Sequence, residues 1–177
     1  MTLFSTNNWL NSVLFRYSLI MKFALANDVR IEATKDGKGV CPSCGSELIA
    51  KCGEIVIHHW AHKKKCYDHW WESETEWHRN WKNEFPNEWQ EIIHYDESGE
   101  RHIADIKTPD DWVIEFQHSA INPQERRSRN EFYNKNSQLI WVVDCRRRKT
   151  DVKQFTNELF YSFDTCLLYT SPSPRDS

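Results

Sequence analysis

The sequence predicts an α/β fold, with a mixed central sheet flanked by helices and a small β element before it. Three observations support this prediction. The early segment carries a paired-cysteine motif, Cys41-Pro-Ser-Cys44, and helix-like and strand-like segments alternate over residues 72–144. The last of these, residues 138–144, is an almost continuous apolar run. Such runs are typical of strands that are buried on both faces of a sheet.

The composition is typical of a folded chain in water. Of the 177 residues, 39% are hydrophobic and nine are tryptophan, which is enough for a modest core and argues against global disorder. A net charge of −3 excludes a polybasic protein that coats nucleic acid through bulk charge. No apolar run approaches the roughly 18 residues of a membrane span. A secretory signal at residues 12–26 is rejected because Arg16 and Lys22 bracket too short an apolar run. We therefore expect a reducing, cytoplasmic location and no membrane partner.

The two ends of the chain differ from the rest. Met21 begins a second plausible start, so residues 1–20 are expected to be an upstream extension, with a native amphipathic segment as the alternative. Residues 166–177 contain CLLYTSPSPRD, which has no helical or strand period and resembles a translated sequencing adapter. We expect this tail to lie outside the fold, which leaves two units, residues 21–70 and 71–165.

Cysteines and histidines of the first unit have the spacing of metal ligands. Cys41 and Cys44 lie on one tight turn, and after 14 intervening residues His59 and His62 add two imidazoles. Two thiolates and two imidazoles suit tetrahedral zinc, so we predict a structural zinc site in a zinc-ribbon-like element. The alternative is a reduced cysteine pair beside histidines that only pack. The second ligand pair stays open because four other candidates lie nearby: Cys52, His58, Cys66 and His69.

A helix with a mixed polar and apolar stripe begins the second unit. Residues 72–85 repeat at three- and four-residue steps, and Glu74, His78 and Lys82 would share one edge of this helix. The alternative for this edge is a solvated face of salt-bridged charges. Glu72 and Glu76 are alternatives to Glu74 for a functional role.

Two predicted strands bring an aspartate and a glutamate together. Residues 102–106 and 112–117 are joined by a turn, so Asp105 and Glu115 can meet across an antiparallel pair. A glutamate flanked by apolar residues is expensive to bury unless a partner compensates its charge. A divalent metal held by carboxylate oxygens would supply that compensation. Gln117 lies two residues further on and faces the same way.

A helix and a buried strand complete the second unit. Asn122-Pro123 followed by Glu125 indicates a helix start, and this helix is expected to run to about residue 134. The apolar strand at residues 138–144 then returns to the sheet by one crossover.

Together these motifs resemble the PD-(D/E)XK nuclease superfamily and, more narrowly, the competence protein CoiA-like family. The resemblance covers residues 21–144, and its elements occur in the family's order. They are Cys-Pro-Ser-Cys, the HWAH segment at 59–62, the Glu72-Ser73…His78…Lys82 helix, Ala104-Asp105-Ile106, Glu115-Phe116-Gln117-His118-Ser119, the Arg129…Tyr133 helix and Ile140-Trp141-Val142-Val143.

The resemblance implies a zinc-ribbon-like element joined to a restriction-endonuclease-like core that hydrolyses DNA phosphodiester bonds in DNA processing or recombination. Asp105 matches the superfamily's first metal-binding acid and Glu115 the second, which implies Mg²⁺ or Mn²⁺ as the catalytic ion. Gln117 stands where the superfamily usually has a catalytic lysine, and an amide carries no positive charge. Lys82 is therefore expected to supply that charge, and Glu74 to orient the metal or the water.

The resemblance also implies DNA, single-stranded or branched, and recombination proteins as partners. Arg126 and Arg129 are expected to steer backbone phosphates, with ordinary helix solubilisation as the alternative. The competing function is an inactive nuclease fold with a zinc ribbon that only binds single-stranded or branched DNA. A third interpretation is a structural zinc protein that binds no nucleic acid. Both acids are present at strand positions, where mere binding would not need them, and this favours the enzyme.

Overall fold

The computed structural model describes residues 20–63, 66, 68, 70 and 74–144, together with the backbone of two later strands within residues 159–170. By its internal contacts the chain divides into two compact units, Met1–Ser73 and Glu74–Ser177. The extension expected at residues 1–20 lies outside the described residues except for Ile20. In the described part, no helix is long and apolar enough to cross a membrane.

The first unit contains an antiparallel sheet with the strand order β1-β6-β5-β4-β2-β3. Its strands are β1 (Ile20–Met21), β2 (Phe23–Ala26), β3 (Val29–Glu32), β4 (Lys38–Val40), β5 (Glu47–Lys51) and β6 (His59–His62). The expected early strand pair is β2 and β3. It is joined at Asn27 and Asp28, whose φ angles of 50° and 62° match a two-residue hairpin turn. Residues 54–57 form a bend and loop, and β6 begins two residues later.

Trp60 holds this small sheet together. Its side chain is fully buried, and its indole Nε1 donates a hydrogen bond to the Ile31 carbonyl oxygen at 3.2 Å. Gly39 packs close by, since a Cβ atom there would lie 2.7 Å from the Ala24 Cβ. A residue with a side chain at this position would push β4 away from β2.

The second unit contains a mixed sheet with the strand order β11-β12-β10-β9-β8-β7. Its strands are β7 (Gln90–Tyr95), β8 (Arg101–Lys107), β9 (Trp112–Gln117), β10 (Gln138–Asp144), β11 (Leu159–Ser162) and β12 (Thr165–Thr170), and its helices are α1 (Glu76–Asn83) and α2 (Pro123–Tyr133). β9 and β10 are parallel and are connected through α2, whereas the other strand pairs are antiparallel. This is the mixed sheet with one crossover that the alternating pattern predicts.

β12 corrects one expectation. No strand was predicted in residues 166–177, yet Thr165–Thr170 pairs antiparallel with β10, from Asp144 opposite Thr165 to Leu139 opposite Thr170. β12 pairs through backbone hydrogen bonds with β10 on one side and β11 on the other, and such pairing does not require the side-chain alternation that a sequence pattern reports. The resemblance of this tail to an adapter stays a prediction.

The helix starts follow from capping residues. Thr75 caps α1: its hydroxyl accepts a hydrogen bond from the His78 backbone N–H, and the His78 ring accepts one from the Thr75 N–H. The helix therefore begins at Glu76, four residues later than expected. For α2 the predicted start is confirmed, because the Asn122 side chain accepts from the Gln124 N–H at 2.8 Å and a proline follows the cap.

The core of the second unit lies under α1. Trp77, Trp81 and Phe85 pack against buried side chains of three neighbouring strands: Ile106, Ile114, Phe116 and Val142. The tryptophans of α1 are thus core residues. Trp71 lies outside the described residues.

Candidate functional site

A cluster of three thiols and one imidazole lies in the first unit. Cys41, Cys44, His62 and Cys66 each offer a ligand atom within 4.8 Å of the others, and the Cys44 Sγ and His62 Nε2 atoms are 3.5 Å apart. Around a tetrahedral zinc ion, bonds of about 2.1–2.3 Å place ligand atoms about 3.5–3.8 Å from one another. The donor set and the spacing therefore fit zinc.

The thiols of this cluster perturb one another. A hydrogen bond with Cys41 lowers the pKa of the Cys66 thiol to about 4. The same bond, together with burial, raises the pKa of Cys41 far above the ordinary range. The two buried thiols thus share a hydrogen bond, and a metal ion bound there would displace its proton and take both sulfur atoms as thiolates.

His59 does not join the cluster, which corrects the predicted ligand set. Both histidines lie in β6, where residues three positions apart face opposite sides of the strand. The His59 Nδ1 atom lies 2.8 Å from the Ile57 carbonyl oxygen instead. Cys66, one of the nearby alternatives, takes the fourth place.

The second site begins with the acid pair, Asp105 and Glu115, on adjacent antiparallel strands. Ile106 of β8 pairs with Ile114 of β9, which puts the two acids at the same level. The Phe116 N–H donates to Asp105 Oδ2 at 2.9 Å, and the Asp105 N–H donates to Glu115 Oε1 at 3.4 Å. Each carboxylate therefore accepts a hydrogen bond from the backbone of the opposite strand.

The acid pair is electrostatically costly without a cation. Burial raises the pKa of Glu115 to about 8, helped by the charge of Asp105 and opposed by that of Arg129. Burial also raises the pKa of Asp105, although the Lys82 charge opposes the rise. A divalent cation beside both carboxylates would remove their repulsion, so their oxygens fit Mg²⁺ or Mn²⁺.

Lys82 of α1 lies among three carboxylates. Its ammonium Nζ is 2.6 Å from Glu74 Oε1, 2.8 Å from Glu91 Oε1 and 3.9 Å from Asp105 Oδ1. Burial alone would lower the pKa of Lys82, but these acids outweigh burial and raise it above the usual value. A fixed positive charge is therefore held beside the acid pair.

Glu74 is clamped from two directions. Besides Lys82, the Arg79 guanidinium donates to both of its oxygens, at 3.0 and 2.6 Å. Burial raises the pKa of Glu74, but the charges of Lys82 and Arg79 outweigh it and hold the pKa at about 2. Of the competing glutamates, Glu76 is exposed and Glu72 lies outside the described residues. The structure thus places Glu74, rather than Glu76, beside Lys82.

Two family models match the chain in tandem. Residues 25–67 match the competence protein CoiA, N-terminal domain, and residues 74–175 match the competence protein CoiA, nuclease-like domain. The chain belongs to the competence protein CoiA family. In this CoiA-family chain the two matches meet at the division between the two compact units. Neither the curated proteins nor the solved structures contain a match to the chain.

Arg129 of the CoiA nuclease-like domain corrects the predicted phosphate contacts. It was expected on the surface, but its side chain is 8% exposed and donates to Glu115 Oε2 at 3.0 Å and to Glu125 Oε1 at 2.6 Å. A buried guanidinium that holds two carboxylates is not available to the DNA backbone. Arg126, on the same helix, is half-buried and keeps its assignment as a prediction.

Gln117 and His78 have local hydrogen-bonding roles. The buried Gln117 amide donates to the Ser119 carbonyl oxygen at 3.0 Å. His78 contacts Thr75 through Nδ1 and the Phe116 carbonyl oxygen through Nε2, at 3.0 Å in each case. The imidazole thus ties α1 to β9, which explains its burial.

Glu91 is the member of the site that the sequence analysis missed. It lies in β7, and no periodic pattern distinguishes it from other charged residues of the chain. The one available signal was a carboxylate next to the apolar run Ile92-Ile93. Its contact with Lys82 joins residues from a helix and a strand, and sequence spacing does not show such a contact.

Proposed function

We propose that this CoiA-family chain is a metal-dependent nuclease that hydrolyses phosphodiester bonds of DNA, on a restriction-endonuclease-like core, in DNA processing or recombination. The observation that carries the proposal is the acid pair, a half-buried and a buried carboxylate on adjacent strands, with the Lys82 ammonium 3.9 Å from Asp105. The match of residues 74–175 to a nuclease-like domain supports it.

Each residue of the site has a role in this proposal. Asp105 and Glu115 hold Mg²⁺ or Mn²⁺, which would supply Lewis-acid polarisation of the phosphate and a lowered pKa of the attacking water. Lys82 provides a positive charge where negative charge grows on the phosphate, the task for which Gln117 is unsuited. Glu74 orients Lys82 through the 2.6 Å ion pair.

Zinc has a structural role in this proposal. Three cysteines and one histidine fill all four positions of a tetrahedral ion and leave none for water. A small sheet with few large buried side chains also gains stability from such a metal.

DNA is the proposed partner, and single-stranded and branched forms are among the proposed substrates. Arg126 is the proposed phosphate contact on α2. The basic run at residues 146–149 lies outside the described residues.

The second candidate function is an inactive nuclease fold that binds single-stranded or branched DNA. Two observations favour it: Arg129 occupies Glu115 Oε2 at 3.0 Å, and a glutamine stands in place of the usual lysine. In the part of the chain that the structure describes, one group of three or more cysteine, histidine, aspartate or glutamate ligands lies within 4.8 Å. This group is the cluster of Cys41, Cys44, His62 and Cys66, and it does not include the acid pair.

Cleavage assays separate the two functions. Zinc-loaded protein is incubated with single-stranded, duplex and branched DNA in Mg²⁺ or Mn²⁺, beside Asp105→Asn and Glu115→Gln. We expect cleavage by the parent and by the matched control Asp110→Asn, an exposed aspartate, but not by the two site variants. Absence of cleavage with retained DNA binding would establish the binding module. Cleavage that survives Asp105→Asn would place any activity elsewhere.

A further inference from the structure

Glu91 has a backbone conformation that is unusual for its position. Its φ angle is 47°, in the left-handed region, although it lies within β7 and is not a glycine. This region is sterically disfavoured for residues with a Cβ atom, and such residues persist where the surroundings hold them. Gln90 pairs with Ile106 and Ile92 pairs with Ala104, so Glu91 lies at the level of Asp105.

The residue before Glu91 explains how the conformation is held. Gln90 is fully buried, and its amide donates to the Phe85 carbonyl oxygen at 2.7 Å and to Asn87 Oδ1 at 3.2 Å. Both acceptors lie within four residues of the end of α1, the helix that carries Lys82. The start of β7 is thus tied to the end of α1, and the Glu91 carboxylate, with 5% of its side chain exposed, lies 2.8 Å from the Lys82 ammonium.

The charges around Lys82 explain what Glu91 contributes. Lys82 and Arg79 both contact Glu74, so two cations share that one carboxylate. Glu91 provides the second negative charge, so two cations and two carboxylates balance in the group of Arg79, Lys82, Glu74 and Glu91. If Glu91 were uncharged, the group would carry one excess positive charge, and Asp105 Oδ1, at 3.9 Å, would be the next carboxylate oxygen within reach of Lys82.

The two oxygens of Asp105 have different neighbours. Asp105 Oδ2 accepts the Phe116 N–H at 2.9 Å, whereas Oδ1 faces the ammonium from beyond hydrogen-bonding distance. An ammonium in direct contact with Oδ1 would compete with a metal ion for that oxygen.

We propose that Glu91 is a positioning residue, which holds the Lys82 ammonium out of direct contact with Asp105 and so keeps Asp105 Oδ1 accessible to a divalent metal ion. The proposal rests on the proposed function, because it assigns Asp105 to metal binding. Glu91 acts through Lys82 and is not itself a metal ligand.

The test is Mn²⁺ binding to the full, zinc-loaded chain, measured by electron paramagnetic resonance of free Mn²⁺. Asp105→Asn identifies the binding that belongs to the acid pair. Glu91→Gln should weaken this binding by about 10- to 100-fold, the usual effect of losing a residue that orients a metal ligand. Glu88→Gln, the same change at an exposed glutamate three residues earlier, should leave it unchanged. Circular dichroism and thermal unfolding confirm that each variant is folded.

A second background separates positioning from direct ligation. Lys82→Met removes the competing ammonium, so it should bind Mn²⁺ at least as tightly as the parent, and adding Glu91→Gln to it should change the affinity less than threefold. This comparison also separates positioning from ligation if the single Glu91→Gln variant does not fold. The double variant should fold, because it leaves no unpaired Lys82 charge.

Three results would overturn the proposal. If Glu91→Gln binds Mn²⁺ like the parent, positioning is refuted while the proposed nuclease site stands. If Glu91→Gln weakens binding as much in the Lys82→Met background, Glu91 is a ligand. If the parent has no Asp105-dependent Mn²⁺ binding, the proposed function fails and the positioning role fails with it.

Discussion

Replacing Arg129 by methionine should destabilise the nuclease-like unit and leave the salt dependence of DNA binding unchanged. The Arg129 guanidinium lies 3.0 Å from Glu115 and 2.6 Å from Glu125, and the side chains of Arg129 and Glu115 are only 8% and 4% exposed. Methionine retains much of the apolar stem but not the charge. Glu115 would then be buried without its cation.

The size of the effect follows from this geometry. At 3.0 Å, with an effective dielectric constant of about 20, two unit charges attract by about 5–6 kcal/mol, and burial, which raises the pKa of Glu115 to about 8, offsets much of this attraction. Removing one partner of a buried pair typically costs about 3–5 kcal/mol, because the other charge stays buried. Glu115→Gln should cost less than about 2 kcal/mol, because Arg129 keeps Glu125 and a buried repulsion with Asp105 disappears. The double variant should therefore lose less than the sum of the two single variants.

Two assays test the assignment. Urea unfolding of Arg129→Met, Glu115→Gln and the double variant gives the loss of unfolding free energy and the coupling between the sites. Fluorescence anisotropy on labelled DNA gives the slope of log affinity against log salt concentration. Arg126→Gln should lower this slope by about one phosphate contact, whereas the double variant should leave it unchanged. A loss below about 1 kcal/mol for Arg129→Met, or a lowered slope in the double variant, would refute the buried ion pair.

The other predictions concern the zinc ligands, the positive charge and pH. Cys66→Ser should remove zinc, measured by elemental analysis, whereas His59→Ala should keep it; zinc retained in Cys66→Ser would contradict the ligand set. Lys82→Met should lower the single-turnover rate of DNA cleavage by roughly 10²-fold, and an unchanged rate would exclude a catalytic charge. Burial, with a nearby ammonium, lowers the pKa of His94 below its usual 6.5. As pH falls, the His94 imidazole is therefore protonated in the unfolded chain before it is protonated in the folded chain. Stability is lost as pH falls below about 6.5. His94→Gln should reduce that loss in unfolding titrations between pH 7 and 5, and an identical pH dependence would refute it.

Two strands, one helix start and the pairing of two acids could be predicted from the sequence, because they depend on local periodicity, capping residues and a short turn. The strands Trp112–Gln117 and Gln138–Asp144 were predicted at their observed bounds, because alternating and continuous apolar patterns are properties of short segments. Asn122 with the following proline marked the start of α2 for the same reason. Asp105 and Glu115 could be paired because a short turn joins their strands, which leaves little freedom of register.

Only the tertiary structure decided which side chains complete the two sites. Spacing made His59 as good a ligand as Cys66, and the choice depended on which face of β6 each histidine occupies. A charge on a helix is equally compatible with solvent and with a buried partner, so Arg129 could not be assigned until α2 was placed against β9. Glu91 acquires its role through Lys82, from another element. In each case the energy of the side chain depends on charges and surfaces that distant parts of the chain bring to it, and local sequence patterns carry no information about those neighbours.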